Sequence, residues 1–569
     1  MAKKITQNVN KDAGLMDLPK VHVPHSQWES RHSNYITSNI GDIVPIYCEE
    51  VLASEKRKVT MGMLSHMTTP VAPIFNAQYT EFRTFFVPYR LCADLLAGYK
   101  TRKSPWVKVF GEDNASANSS IIVSLSDQKL PDVSANLGSD FYSNLETFGG
   151  VADALDCHIT SANASLFRKF NFLNFAAYEL IYQKAYRNEN REAATSSALY
   201  RWLFDIYNRA NASTISYANA DAFHKANREK DYFTGCQPFT QKSSSPVTAG
   251  LVGNATVKTN GNVVGVTFGS NAVDGESIVA TLNSGSSTTG VLEGGTSSAS
   301  VKSFDNLYAD LSTASGIDIN QLRLMIKTQE LLEKDMMYGS RYSESLNAHF
   351  GTSPISLVLD EPLELKKVTI TSHMQPIFQT SATSSEPTIL GTIGANATTQ
   401  SGEFEICPLT EFKEHGLLMI CAVHKAQNSY DSYYFKPKHI FKKGRFDFYT
   451  PELNDLGFQP VLGKEFNATS IQDETAVGYN EAFAEYRYKF NKVHGMFEPS
   501  RANALTYWTL ALSNYSDVAS LYKQDVTELD RAVSIKSNVD PQFFDAFGFV
   551  EYNDKPMSLH SIPGMDGVI

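Results

Sequence analysis

No stretch of this chain is long and apolar enough to cross a bilayer as a helix, which takes about 20 residues. The longest candidate run, Gly416–Val423, suits a buried strand instead. The opening residues, Met1-Ala-Lys-Lys-Ile-Thr-Gln-Asn-Val-Asn-Lys, contain no apolar h-region, so a soluble protein without a cleaved secretory signal is expected. Cysteine is scarce. Six in 569 residues (Cys48, Cys92, Cys157, Cys236, Cys407, Cys421) include no CxxC pair. That argues against a disulfide framework and a zinc ribbon, and leaves reduced, mostly buried thiols. Positive charge is in deficit too: 50 Lys and Arg face 61 Asp and Glu, for a net charge of -11. The chain as a whole is therefore no electrostatic glove for nucleic acid, and any such contact is local or shared with a basic partner.

Enzyme signatures are missing as well. There is no G-x-S-x-G elbow, no P-loop and no dinucleotide fingerprint after a strand. Gly391-Thr-Ile-Gly394 sits in a polar stretch without the context of a phosphate site. Glu411, Glu414 and His415 could hold a metal in principle, but no second ligand group stands at zinc-like spacing, and solvated charge is the simpler reading. No catalytic residue, cofactor or metal is assigned.

What the chain does have is aromatic and polar uncharged residues: 34 Phe and 27 Tyr, with hydrophobic residues at 42% and charged ones at only 20%. This mix suits strands joined by long polar loops. Residues 1–40 read as an extended arm, with Lys3, Lys4 and Lys11 giving slight positive charge. From Gly41 onward, Ile43–Cys48, Lys58–Met63 and Tyr79–Val87 read as strands, the last with Phe82, Thr84 and Phe86 on one face. Phe167–Arg191 reads as a buried, aromatic-rich helix. Between about Lys242 and Ser303 the chain turns Gly-, Ser-, Thr- and Val-rich, which predicts an exposed β-rich insertion. Asp318–Gly351 predicts a packing helix with Leu322, Met325, Leu332 and Met336 on one stripe, capped by Asp318 and ended at Gly339. Strand character then returns at Leu363–Ser372, Phe404–Ile406, Gly416–His424, Arg445–Tyr449, Glu485–Phe490, Val493–Phe497 and Pro541–Tyr552, with a polar loop at about Ser381–Ser401.

Two basic groups stand out. Arg168, Lys169, Lys184, Arg187 and Arg191 are interleaved with Phe170, Tyr178, Tyr182 and Tyr186, a pattern that can hold a single strand by phosphate contact and stacking. It equally fits a core helix whose Lys and Arg stems reach outward. Lys436, Lys438, Lys442, Lys443 and Arg445 form the densest run, which could face phosphates or balance acidic neighbours.

Several stretches together resemble the major capsid proteins of the microviruses, the small single-stranded DNA phages, and in particular their gokushovirus-like branch. They are Val44-Pro-Ile-Tyr47, Thr84-Phe-Phe-Val-Pro-Tyr-Arg90, Glu229-Lys-Asp-Tyr-Phe-Thr234, Ile319-Asn-Gln-Leu-Arg323, Glu333-Lys-Asp335, Gly339-Ser-Arg-Tyr-Ser-Glu344, His349-Phe-Gly351, Glu414-His-Gly416, Phe446-Asp-Phe-Tyr449, Gly478-Tyr479, Ala484-Glu-Tyr-Arg-Tyr-Lys489 and Ser561-Ile-Pro-Gly564. They follow the family's order along nearly the whole chain, while the tract about Lys242–Ser303 has no counterpart.

The resemblance implies a mainly β fold: an eight-stranded antiparallel viral jelly-roll β-barrel with long loop insertions and a few helices, a single capsid domain over 41–569. It implies self-association into a T=1 icosahedral shell around a circular single-stranded DNA genome, with residues 242–303 as a protrusion at the three-fold axes, used in host attachment. It also implies a small basic DNA-binding protein, an internal scaffolding protein, a DNA pilot protein and a host surface receptor as partners. The protein would reside in the virion, and in the host cytoplasm during assembly. Lys3, Lys4, Arg168, Lys169, Lys184, Arg187 and Arg191 are the candidate contacts to nucleic acid. The competing reading is a β-sandwich carbohydrate-binding or glycoside-hydrolase-like protein. It predicts a cleft holding two carboxylates, one with a raised pKa.

Overall fold

A computed structural model describes residues 23–97, 150–157, 171–208, 222–243, 256–259, 266–268, 301–304, 307–310, 319–338, 342–350, 360–380, 391–466, 474–513, 515 and 521–560. It divides into two compact units, 1–240 with 335–569, and 241–334.

The first unit is built on two antiparallel sheets. Their strands are β1 (Ser26–Ser38), β2 (Val44–Val51), β3 (Lys56–Met67), β4 (Gln78–Pro88), β5 (Leu363–Thr371), β6 (His373–Phe378), β7 (Ile393–Glu411), β8 (Gly416–Ala426) and β9 (Phe543–Lys555). One sheet runs β1-β9-β3-β7-β6 and the other β2-β8-β4-β5. The end of the expected amino-terminal arm is thus a sheet strand: β1 pairs with β9 without a break, from Ser26 opposite Lys555 to Ser38 opposite Phe543. The chain changes sheets between β5 and β6 at Ser372, whose backbone N–H donates to the Gln78 carbonyl (2.9 Å).

Period-two alternation places the core. Phe82 and Phe86 of β4 face the other sheet, where Phe82 meets Phe547 edge-on at 6.0 Å and Phe86 meets Phe412 at 4.8 Å. Thr84, between them, donates its hydroxyl to the Ile406 carbonyl across the core (2.9 Å). Val59, Met61, Met63, Leu418, Ile420 and Phe549 complete this layer. The alternate residues of the four-stranded sheet, Phe85, Val87, Leu417, Met419, Cys421 and Val423, are buried on the opposite face. A helical layer covers them: α1 (Tyr89–Ala97), α2 (Leu173–Ile181) and α3 (Ala198–Asn208). Being covered on both faces, β8 is an almost unbroken apolar run, which is why it resembles a parallel-sheet strand in sequence.

Several expectations are corrected. The helix expected to reach Arg191 ends earlier: after Ile181 the chain makes one wide π turn, Tyr182–Tyr186, and Arg187 is extended. Its expected start, 167–170, lies outside the described residues. Residues 393–401, expected as polar loop, belong to β7, because that stretch pairs with β6 on one side and, from Thr398, with β3 on the other. Arg445–Asp447 and Ala484–Arg487 are single helical turns rather than strands. In the first, Asp447 Oδ2 accepts from the backbone N–H groups of Lys443 and Gly444, both at 2.8 Å. Their alternating aromatics imitate a strand but find no partner strand among the described residues, and Phe446, Phe448, Tyr486 and Tyr488 are exposed instead.

In the second unit, Thr256–Thr259 pairs antiparallel with Leu307–Asp310, and Val266–Phe268 with Val301–Phe304. Helix α4 (Ile319–Tyr338) begins there, and α5 (Tyr342–Phe350) follows in the first unit. Asp318 and Gly339, the expected cap and stop of α4, lie outside the described residues.

Candidate functional site

Of the basic residues nominated from sequence, Lys3, Lys4, Arg168 and Lys169 lie outside the described residues. The other three follow α2, and each is engaged by protein. Lys184 pairs with Glu361. Arg187 Nη1 donates to the Glu192 carbonyl at 2.6 Å. Arg191 donates to the Cys236 carbonyl, and its guanidinium lies 5.4 Å over the Tyr522 ring. Glu192 anchors this region. Burial raises its carboxyl pKa, but donation from Tyr182, Tyr522 and Lys523 outweighs burial and holds it below the ordinary carboxylate value. The aromatics of α2 and its π turn are core: His224 stacks with Tyr178 (5.4 Å) and with Tyr182 (3.8 Å), and the Tyr178 hydroxyl donates to the Ile43 carbonyl (2.8 Å).

Arg83 locks this helical layer to the sheet. It forms a two-pronged pair with Glu364 (Nε to Oε1 2.9 Å, Nη2 to Oε2 2.7 Å) and donates from Nη1 to the Ala185 carbonyl (3.0 Å). The carboxylates considered as metal ligands are likewise in ion pairs, Glu414 with Arg90 (2.9 Å) and Glu411 with Lys413 (2.5 Å). Among the described residues no group of three or more His, Cys, Asp or Glu is placed to hold a metal ion.

The carbohydrate reading asks for a cleft with paired carboxylates. An opening of about 400 Å³ is lined by Glu49 and Glu551 beside His32, Arg57 and Asn553. Burial, and then the neighbouring Glu551, raise the Glu49 carboxyl pKa. Arg57 is already taken up by Glu55 (2.7 Å), the Tyr47 hydroxyl (3.0 Å) and the Glu50 carbonyl (2.8 Å). No Phe, Tyr or Trp is among the residues that line the opening; its one ring is His32, which stacks on Tyr47 (5.9 Å) and Phe549 (5.1 Å).

What the subunit does display is apolar surface. On α4 the expected packing stripe is not a core face: Leu322 is exposed, Met325 and Leu332 are half-buried, and only Met336 is buried. Leu324, Ile326 and Leu331 are exposed too, so apolar side chains face solvent on more than one side of this helix. In the first unit Phe75, Phe350, Leu409, Phe446 and Val539 are exposed, with Phe446 at 78%. Large apolar groups exposed in such number give another molecule apolar area to bury. The sequence carried a signal for this, an aromatic content larger than the core consumes, but periodicity could not say which rings would be left outside.

Known proteins resolve the class. The family described as "Capsid protein (F protein)" matches residues 17–565. The chain is similar to the capsid protein VP1 of Spiroplasma virus 4, 28% identical over 564 residues and 96% of each chain. It is also similar to the capsid protein VP1 of a Bdellovibrio phage (27% over 571 residues, 97% of each) and of Chlamydia phage 1 (26% over 609 residues, 96% of this chain and 97% of the other). With one family matched almost from end to end, over a two-sheet antiparallel fold whose exposed apolar surface asks for partners, the chain belongs to the F-type capsid proteins of the microviruses.

Proposed function

We propose that this capsid protein closes with copies of itself into a T=1 icosahedral shell around a circular single-stranded DNA genome. The observation that carries self-assembly is the exposed apolar surface of α4 and of the loops bearing Phe75, Phe446 and Val539. Burial of such surface between copies supplies the association free energy, while ion pairs and hydrogen bonds fix the register. No residue performs chemistry in this reading. The subunit acts by shape and contact, in the virion and beforehand in the host cytoplasm.

The net charge of -11 bears on how a genome is held. A polyanion inside an acidic shell needs local basic groups or a basic companion, and a small basic DNA-binding protein fits that requirement. Lys3, Lys4, Arg168 and Lys169 are proposed as direct contacts. Lys184, Arg187 and Arg191 would have to leave their protein partners to join them. An internal scaffolding protein and a DNA pilot protein complete the proposed set. The insertion 242–303 is proposed as the three-fold protrusion that meets the host receptor.

Electron microscopy of the purified full-length protein, expressed alone and with scaffolding protein, tests the reading. Closed particles or defined capsomers are expected; a dilute monomer under both conditions would overturn it. Deleting 242–303 should leave particles intact and abolish attachment to host cells. Loss of particles would show that the segment makes shell contacts instead.

A further inference from the structure

The second basic run, 436–445, meets a second basic stretch in space. Residues 437–439, 488–490 and 492, with Tyr232 and Glu485, line a cleft of about 160 Å³. Lys438, His439, Lys489 and Lys492 all face it. Its one carboxylate, Glu485, lies 2.7 Å from Lys442 Nζ and is neutralised there. Among the described residues, Lys438, Lys489 and Lys492 have no ion-pair partner. Burial, followed by repulsion from Lys436 and Lys489, lowers the pKa of Lys492. On a chain with a surplus of acid, such a concentration of unneutralised cations is a local exception.

Aromatic rings border the same cleft. Phe490 lines it with Lys492 Nζ 5.0 Å from its ring centre, and Tyr488 lines it with about half its surface exposed. Lys442 lies 4.2 Å from the Tyr486 ring centre and 5.6 Å from that of Phe448, which joins the exposed rings of the 446–449 turn to the cleft's rim. Cations beside open ring faces suit a polyanion whose bases are free to stack. A duplex hides its base faces, and an acidic protein surface has no use for the rings.

We propose that this cleft and its aromatic rim bind single-stranded DNA without sequence preference, with phosphates on Lys438, Lys489 and Lys492 and an unstacked base on Tyr488. The site is separate from the basic residues that follow α2, and it rests on the reading of this chain as the shell of a single-stranded genome.

Titrating full-length protein against a fluorescent oligothymidylate over a salt series tests the site. Replacing both Lys489 and Lys492 by Gln should reduce the slope of log affinity against log salt by about 1.4, since each single-strand phosphate contact contributes about 0.7. Tyr488→Ala should weaken binding by about tenfold, and Tyr488→Phe should bind like wild type, because stacking needs the ring and not the hydroxyl. A duplex of the same length should compete poorly. Unchanged affinity and slope in the Lys and Tyr488→Ala variants would overturn the site. So would unchanged DNA binding together with lost particle assembly, which would make the patch a contact between copies. Particle formation by the wild-type protein, scored by microscopy, is read separately: shells with no effect of these variants refute the cleft alone, and the expected DNA effects without shells refute the shell alone.

Discussion

His424 Nε2 lies 2.9 Å from Asp545 Oδ2, and the pair joins the two sheets from inside the core. His424 is on β8 and Asp545 on β9. Thr80 Oγ1 lies 3.0 Å from His424 Nδ1, Ser38 donates its hydroxyl to Asp545 Oδ2 at 3.1 Å, and Phe543 stacks on the imidazole at 3.9 Å. Apolar contacts between two sheets tolerate sliding. A buried pair that, with its two hydrogen-bond partners, ties four strands together does not, so it sets how the sheets sit against each other.

Asp545→Ala should therefore cost about 3 kcal/mol or more, because it strands the His424 ring nitrogen and the Ser38 hydroxyl in a dry core. Urea unfolding of the subunit measures it. A loss below about 1 kcal/mol would show that the pair is incidental to sheet docking.

Gly416 opens β8 where the chain has no room for a side chain. A Cβ there would lie 2.5 Å from the Val87 carbonyl oxygen and 2.6 Å from Phe86 Cε2. Gly416→Ala should destabilise by about 1–3 kcal/mol through displacement of β4, seen as a lower thermal midpoint. An unchanged midpoint would mean that the strand ends relax freely.

On α4, Leu324 is 68% exposed. Leu324→Asp should leave the stability of the isolated subunit within about 0.5 kcal/mol of wild type, yet reduce particle yield in sedimentation assays. Normal yield would remove this helix from the assembly surface.

Glu81 accepts from Lys367 (2.9 Å) and Lys425 (3.2 Å) across the four-stranded sheet. Burial raises its pKa, but the two ammonium groups outweigh burial and leave it below the ordinary carboxylate value. Its contribution is therefore present at neutral pH and lost as pH falls from the ordinary value, about 4.3, through the folded one. Glu81→Gln should be less stable at pH 7 by about 1.5–3 kcal/mol, and the gap should close on acidification. A gap that persists well below pH 4 would assign the loss to packing rather than charge.

Strand identity was legible wherever burial on one face imposes alternation, as in β4, or burial on both faces imposes a continuous apolar run, as in β8. Alternation misled at 445–449 and 485–490, where most of the aromatic residues remain at the surface and no second strand pairs with them among the described residues. The amphipathic stripe of α4 was equally visible, yet a stripe states only that something apolar must cover it. Of the four residues of that stripe, Met336 alone is buried.

The amino-acid sequence alone determined the class of this protein: mainly β, poor in cysteine and positive charge, and carrying ordered short motifs that place it with the microvirus capsid proteins. Local side-chain chemistry and chain order suffice for that. Only the tertiary structure decided which cations are spent on protein partners and which remain unpaired. Lys184 and Lys489 look alike in sequence, but one meets Glu361 from a distant segment and the other faces an open cleft among cations. Charge pairing across long sequence separations depends on how the chain folds back on itself, and a reading along the chain does not contain that distance.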